Sequence, residues 1–170
     1  KITAYTYLNT YKFNNNNVIT SGATYYFLVE PIKWRVISET CDSYQLLCEM
    51  IIDKVVFYGS YGVDRTIDGK TIYSNNYEYS NVRAWLNGYN GSSYNVLDYT
   101  NKGFYNIAFS TNEKNIINTT FINNYSSSIY ASNDTNDKVY LLSLNDVKNA
   151  SYGFDDGDVA RVGISTDYAR

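Results

Sequence analysis

Histidine is absent from the 170 residues, proline and methionine occur once each (Pro31 and Met50), and there are two cysteines. Without imidazole the chain lacks the side chain that titrates nearest neutrality. That excludes Ser-His-Asp and Cys-His nucleophiles and the zinc and haem sites that are built on histidine. Positive charge is also scarce: Lys+Arg 14 against Asp+Glu 17 leaves a net charge of -3, and only five arginines are spread along the chain. No basic face is available for a phosphate backbone, so nucleic acid is not an expected partner. No stretch approaches the roughly 18 consecutive apolar residues of a membrane span, and no membrane crossing is expected in this chain.

What is present is apolar and aromatic. Apolar residues make up 44% and aromatic residues 17%, enough for one domain with a real core. The 20 tyrosines, with abundant Asn and Ile, fit an A+T-rich coding sequence as readily as selection. Each tyrosine still offers a flat apolar face and a polar tip that suit sugar or peptide contacts. The chain starts at Lys1 and its methionine is internal, so a processed form or a fragment is expected. Sequons at Asn90, Asn118, Asn124, Asn133 and Asn149 are no more than so much Asn, Ser and Thr produces by chance, and decide nothing about glycosylation.

Residues 1–23 read as an irregular polar lead-in, and 24–170 as a single domain. From Thr24, Tyr25, Phe27 and Val29, then Ile32, Trp34 and Val36, alternate at the period of a half-buried strand, with Pro31 marking a bulge or edge. A turn over Thr40–Ser43 and a return strand from Tyr44 to Ile52 make 24–52 a probable hairpin. Cys48 shares a face with Leu46 and Met50, while Cys41 sits beside the Asp42-Ser43 turn. The two are not opposed across the hairpin, so free thiols are expected rather than a bridge. Residues 58–78 read as a loop with a turn at Asp68-Gly69. Ser80 or Asn81 caps a helix with Val82, Trp85 and Leu86 on one face and Gly88 at its end. A helical turn is expected at Phe104–Phe109, and Ser110 with Glu113 forms a capping box for a helix carrying Ile116 and Ile117. Residues 119–136 read as an exposed loop, Lys138–Leu142 as a strand, Ser143 with Asp146 as a short helix start, and 151–170 as irregular. Strands flanking a helical middle without a βαβ repeat give an α+β class.

The run Glu30-Pro31-Ile32-Lys33-Trp34-Arg35-Val36 resembles a bacterial domain family of unassigned function, common in cell-surface proteins of Firmicutes and spirochaetes. The likeness continues in order. It takes in Leu46-Leu47, Ile51-Ile52-Asp53, Val82-Arg83-Ala84-Trp85-Leu86-Asn87 and Phe104-Tyr105-Asn106-Ile107-Ala108-Phe109-Ser110. After Glu113-Lys114 and Ile116-Ile117 come Asp137-Lys138-Val139-Tyr140-Leu141-Leu142-Ser143-Leu144 and Thr166-Asp167-Tyr168-Ala169-Arg170. The resemblance implies a C-type-lectin-like fold, shared with the formylglycine-generating sulfatase activators: an antiparallel hairpin plus short helices. It also implies further C-terminal segments with closing strands, which are not in this chain.

The chemistry-bearing residues each have a plain structural reading. Trp34 and Trp85 could be sugar platforms, but each lies on the apolar face of its element and is expected in the core. Arg35 and Arg83 could orient an acidic partner; a structural ion pair is the simpler expectation. Asp155, Asp156 and Asp158 around Gly157 could bind calcium, which wants several oxygens from a turn. They lack the full spacing and closing glutamate of a calcium loop, and a solvated acidic loop is the alternative. Cys41 and Cys48 do not match the late cysteine pair of the sulfatase activators, and no residue is assigned a catalytic role. No cofactor is expected, calcium aside.

The functional expectation is a non-catalytic extracellular binding or adhesion module of a bacterial surface protein. It would recognise a glycan, peptide or protein through Tyr- and Asn-rich loops at 58–78, 87–101 and 119–136. Two alternatives stand beside it: an enzyme related to the sulfatase activators with its catalytic part elsewhere, and a self-associating structural subunit of a surface filament or layer.

Overall fold

The computed structural model describes residues 2–4, 11–58, 64–94, 96–124, 132–154 and 161–169. The first half carries β1 (Ile2–Thr3), β2 (Thr24–Tyr25), β3 (Trp34–Glu39), β4 (Tyr44–Cys48), β5 (Met50–Ile51), β6 (Arg65–Ile67) and β7 (Lys70–Ile72). The second carries α1 (Asn81–Asn87), α2 (Phe104–Ala108), α3 (Thr111–Ile116), β8 (Thr120–Ile122), β9 (Thr135–Asp137) and β10 (Ile164–Ser165). Single 3-10 turns lie at Ser92–Tyr94, Asp146–Lys148 and Ala150–Tyr152. Strands pair two by two, antiparallel except for β5 with β10. The class is mixed α and β with antiparallel pairs and short helices, as expected at that level. The chain divides into two compact units, one formed by Lys1–Lys54 with Leu142–Arg170 and the other by Val55–Leu141.

The first unit is organised by the β3–β4 hairpin, in which Trp34 faces Cys48 and Glu39 faces Tyr44. Within the polar stretch ahead of it, β1 pairs with β2, Ile19 is buried, and the Phe13 ring meets Tyr25 edge-on at 4.9 Å. Phe27 continues this aromatic cluster to Tyr168, with ring centroids 5.7 Å apart. The chain's end is held by backbone and side chain: Asn14 N–H donates to Asp167 Oδ1 at 2.6 Å and Thr166 N–H to the Ile51 carbonyl at 2.9 Å.

In the second unit α1 has both expected stops. Ser80 Oγ accepts from Arg83 N–H at 3.1 Å, and Gly88 takes the left-handed conformation at φ 67. Val82, Ala84 and Leu86 are buried. α2 crosses so near to the end of α1 that a Cβ on Gly103 would collide with the Gly88 Cα and lie 2.5 Å from the Trp85 carbonyl oxygen. The Ser110 and Glu113 capping box forms: Ser110 N–H donates to Glu113 Oε2 at 2.7 Å and Glu113 N–H to Ser110 Oγ at 3.3 Å.

Several expectations are corrected. Tyr26–Lys33 is not strand, so the hairpin is narrower than 24–52, and Met50–Ile51 leaves it to pair with β10. Ile37, left without a ladder partner by a register shift between Val36 and Ser38, is 6% exposed, while Val36 and Leu46 on the other face are half exposed. The Trp34 face is therefore the open one, and Trp34 and Trp85 are both half-buried rather than core. The 58–78 loop contains the β6–β7 hairpin, whose Asp68 and Gly69 take φ 50 and 76. That is the backbone a two-residue turn matching the twist of its strands needs. The ends of 119–136 pair as β8 with β9. Lys138–Leu142 is not strand, because the Asn87 side chain takes its backbone. Asn87 Oδ1 accepts from Lys138 and Val139 N–H at 3.0 and 3.2 Å, and Asn87 Nδ2 donates to the Val139 carbonyl at 2.9 Å.

The collision at Gly103 is with backbone, which yields less readily than a side-chain tip. Gly103→Ala is expected to lower stability by about 2–3 kcal/mol. Gly69→Ala, at an open turn, should cost about 1 kcal/mol. Urea unfolding of the two variants measures the difference. The carboxyl of Glu113 is held below the usual range by its Ser110 side-chain and backbone hydrogen bonds, so the box stabilises above the unfolded carboxyl pKa and fades as pH falls through the depressed folded value. NMR titration should find Glu113 returning toward an ordinary value in Ser110→Ala.

Candidate functional site

The second unit holds a cleft of about 220 Å³ between the β6–β7 hairpin and the turn that leads into α1. Its floor and walls include Asp68, Lys70, Tyr73, Asn76, Glu78, Tyr79 and, from a distant part of the chain, Asn133. The turn is self-supporting: Asn76 N–H donates to the Tyr73 carbonyl at 3.0 Å, and Tyr79 N–H to Asn76 Oδ1 at 3.1 Å. Asn133 is brought in by a hydrogen bond from its Nδ2 to Glu78 Oε2 at 2.9 Å. The Tyr79 ring is braced edge-on by Tyr94, with centroids 4.7 Å apart. Tyrosine rings, amides, two carboxylates and an ammonium thus line one concave surface. A second hollow, of about 620 Å³, lies in the first unit beside Tyr11, Lys12, Asn14, Lys54 and Ser165.

Behind the cleft wall, the half-buried Arg83 forms an ion pair with the buried Asp137. Arg83 Nε lies 2.9 and 3.0 Å from the two Asp137 oxygens, and Nη2 lies 2.9 Å from Oδ1. Asp137 is 2% exposed and also accepts from Thr135 Oγ1 at 2.8 Å. Arg83 Nη1 donates to the Glu78 carbonyl at 2.9 Å, which fixes the cleft-lining turn to the helix. Burial works to lower the Arg83 pKa, but the Asp137 hydrogen bond, the Tyr89 neighbour and the Asp137 charge outweigh it and the pKa rises. Burial, then the Asp137 charge, pushes the Tyr77 phenol well up, and burial raises Tyr89 against the opposing Arg83 charge.

A second arginine, more deeply buried, is served differently. Arg65, 8% exposed, donates Nη1 to the Tyr79 carbonyl at 2.9 Å and to the Tyr94 carbonyl. The Tyr58 ring covers its guanidinium with the centroid 4.0 Å away. Among the described residues it has no acidic partner, and burial lowers its pKa. Sequence reasoning singled out Arg83 but missed Asp137, Arg65 and Tyr58. In a chain with five arginines, the scarcity of the residue was the available signal.

Asp155, Asp156 and Asp158 lie outside the described residues; among those described, no group of three or more His, Cys, Asp or Glu side chains could hold a metal ion. Cys41, exposed, and Cys48, half-buried, are both free thiols. Arg35 lies 3.5 Å from Glu49 Oε1 and 5.6 Å from the centre of the buried Phe154 ring, so each of the two flagged arginines is in an ion pair. Among the described residues no helix is long and apolar enough to cross a membrane.

A family model described as a domain of unknown function, DUF6273, matches residues 43–169. The chain belongs to the DUF6273 family. The match takes in the whole second unit, the cleft and the Arg83–Asp137 pair, and the resembling blocks from Leu46-Leu47 to Ala169; the Glu30 to Val36 block lies ahead of it. No curated protein and no solved structure matches the chain.

Removing one partner of the pair strands the other charge. Asp137→Ala is expected to cost about 3–5 kcal/mol, and Arg83→Met with Asp137→Leu should recover much of it; urea unfolding of the single and double variants tests this. The raised pKa of Tyr77 adds stability that is complete below the unfolded phenol value and is lost as pH climbs beyond it. Tyr77→Phe removes the titrating hydroxyl, which has the Leu141 backbone beside it, and should blunt alkaline unfolding above about pH 10 with a change of no more than about 1 kcal/mol at pH 7. Melting temperature followed against pH reads both effects.

Proposed function

We propose that the chain is a non-catalytic binding module that works outside the cell, on a C-type-lectin-like fold, and takes a glycan, peptide or protein ligand on the Tyr- and Asn-rich loops of its second unit. The observation that supports this is the cleft, to which loop 58–78 contributes Tyr73, Asn76 and Glu78 and loop 119–136 contributes Asn133, with Tyr79 just beyond the first loop. Tyrosine supplies rigid contact area at low entropic cost, while amides and carboxylates adapt to hydroxyls and peptide groups. The extracellular setting and the fold rest on the resemblance of the Glu30 to Arg170 blocks.

Probing a glycan array and a bacterial surface extract with the whole chain tests the reading. Binding should appear in one of them, and Lys70→Ala and Asn133→Ala, both at exposed cleft positions, should each weaken it about tenfold, or about 1.4 kcal/mol. Background signal throughout, or binding indifferent to both substitutions, would end the proposal.

A further inference from the structure

Among the described residues, five buried side-chain polar atoms lack a hydrogen bond of good geometry: Arg35 Nε, Tyr77 Oη, which has the Leu141 backbone beside it, and three that belong to one stacked pair, Arg65 Nε, Arg65 Nη2 and Tyr58 Oη. Arg35 Nε has the Glu49 carboxylate at 3.5 Å. The Arg65 and Tyr58 atoms have nothing of the kind, although buried polar groups are nearly always satisfied and a buried cation without a counter-charge is costly.

Arg83 supplies the comparison. Both guanidiniums spend Nη1 on backbone carbonyls, of Glu78 for Arg83 and of Tyr79 and Tyr94 for Arg65. Each also has a tyrosine ring close to its guanidinium carbon, Tyr89 at 5.5 Å and Tyr58 at 4.0 Å. In Arg83 the remaining edge, Nε with Nη2, grips the Asp137 carboxylate. In Arg65 the same edge holds no acceptor.

We propose that the Nε and Nη2 edge of Arg65, together with the Tyr58 hydroxyl, is the receptor for a carboxylate group brought by a ligand. Two parallel N–H donors match the two oxygens of a carboxylate better than a spherical anion or a single water. The phenol can donate to the same group. Both nitrogens are shut off from solvent, so the anion enters through a local opening and exchanges slowly. Arg65 does not line the cleft, and the inference stands whether or not the cleft binds anything.

The test is NMR of the arginine Nε–H resonances of the whole chain, titrated with sodium acetate against sodium chloride at constant ionic strength. Arg65→Lys identifies the Arg65 signal. The expected result is a separate downfield Arg65 signal that grows saturably with acetate, with an apparent affinity about tenfold or more above that for chloride, while Arg83, already occupied by Asp137, stays still. Glucuronate and N-acetylaspartate in place of acetate separate a sugar acid from a peptide acid as the source. Thermal unfolding gives a second readout: acetate should raise the melting temperature above chloride by more in the unmutated chain than in Arg65→Lys, which subtracts the general effect of the salt. An Arg65 signal that ignores acetate, or that follows chloride equally, with no acetate-specific gain in melting temperature, would mean that water alone fills the site and would overturn the proposal.

Discussion

The second unit depends on one charge pair. Arg83 projects from the first turn of α1 and Asp137 ends β9, yet the two are 54 residues apart in sequence. Because Asp137 is almost wholly enclosed, its charge is tolerable only with Arg83 in contact and Thr135 donating to it. The Arg83 guanidinium then has one nitrogen left for the Glu78 carbonyl, and through that bond the turn carrying Asn76 and Tyr79 takes its place over the hairpin. Such a pair contributes less to stability than its directness suggests, since desolvation offsets much of the attraction. What it fixes is geometry: helix, strand end and cleft wall meet at a single carboxylate.

Parts of this were legible in the sequence because their signals are local. Ser80, Gly88 and the apolar positions between them specify α1, Ser110 with Glu113 specifies the start of α3, and Asp68-Gly69 marks a turn. The strands around that turn were missed because three residues on each side are too few for a period to show. Which face of the hairpin turns inward was not legible. A period of two shows two faces but not which one is inward, and here Ile37 is buried while Val36, on the face that carries Trp34, is half exposed. Lys138–Leu142 reads as strand from composition, but its neighbour is a side-chain amide on α1, a partner that no local pattern encodes. The cleft is long-range too, for Asn133 reaches Glu78 from 55 residues away.

The low count of arginine proves informative in a second way. At first it excludes a nucleic-acid face. In the folded chain the arginines at 35, 65 and 83 each set the guanidinium against an aromatic ring, with Phe154, Tyr58 and Tyr89 in those places. A planar, always-charged group that can stack and hydrogen-bond at once suits such half-enclosed positions better than lysine.

The parallel pairing of β5 with β10 has a consequence for how the chain is assembled. Met50 and Ile51 wait for Ile164 and Ser165, and Asn14 waits for Asp167. Every residue of the second unit is synthesised between those partners, and its own contacts close within a continuous stretch. The entropic cost of the longest loop closure therefore falls wholly on the first unit. During synthesis from the N-terminus, the half that begins the chain is the half that must be completed last.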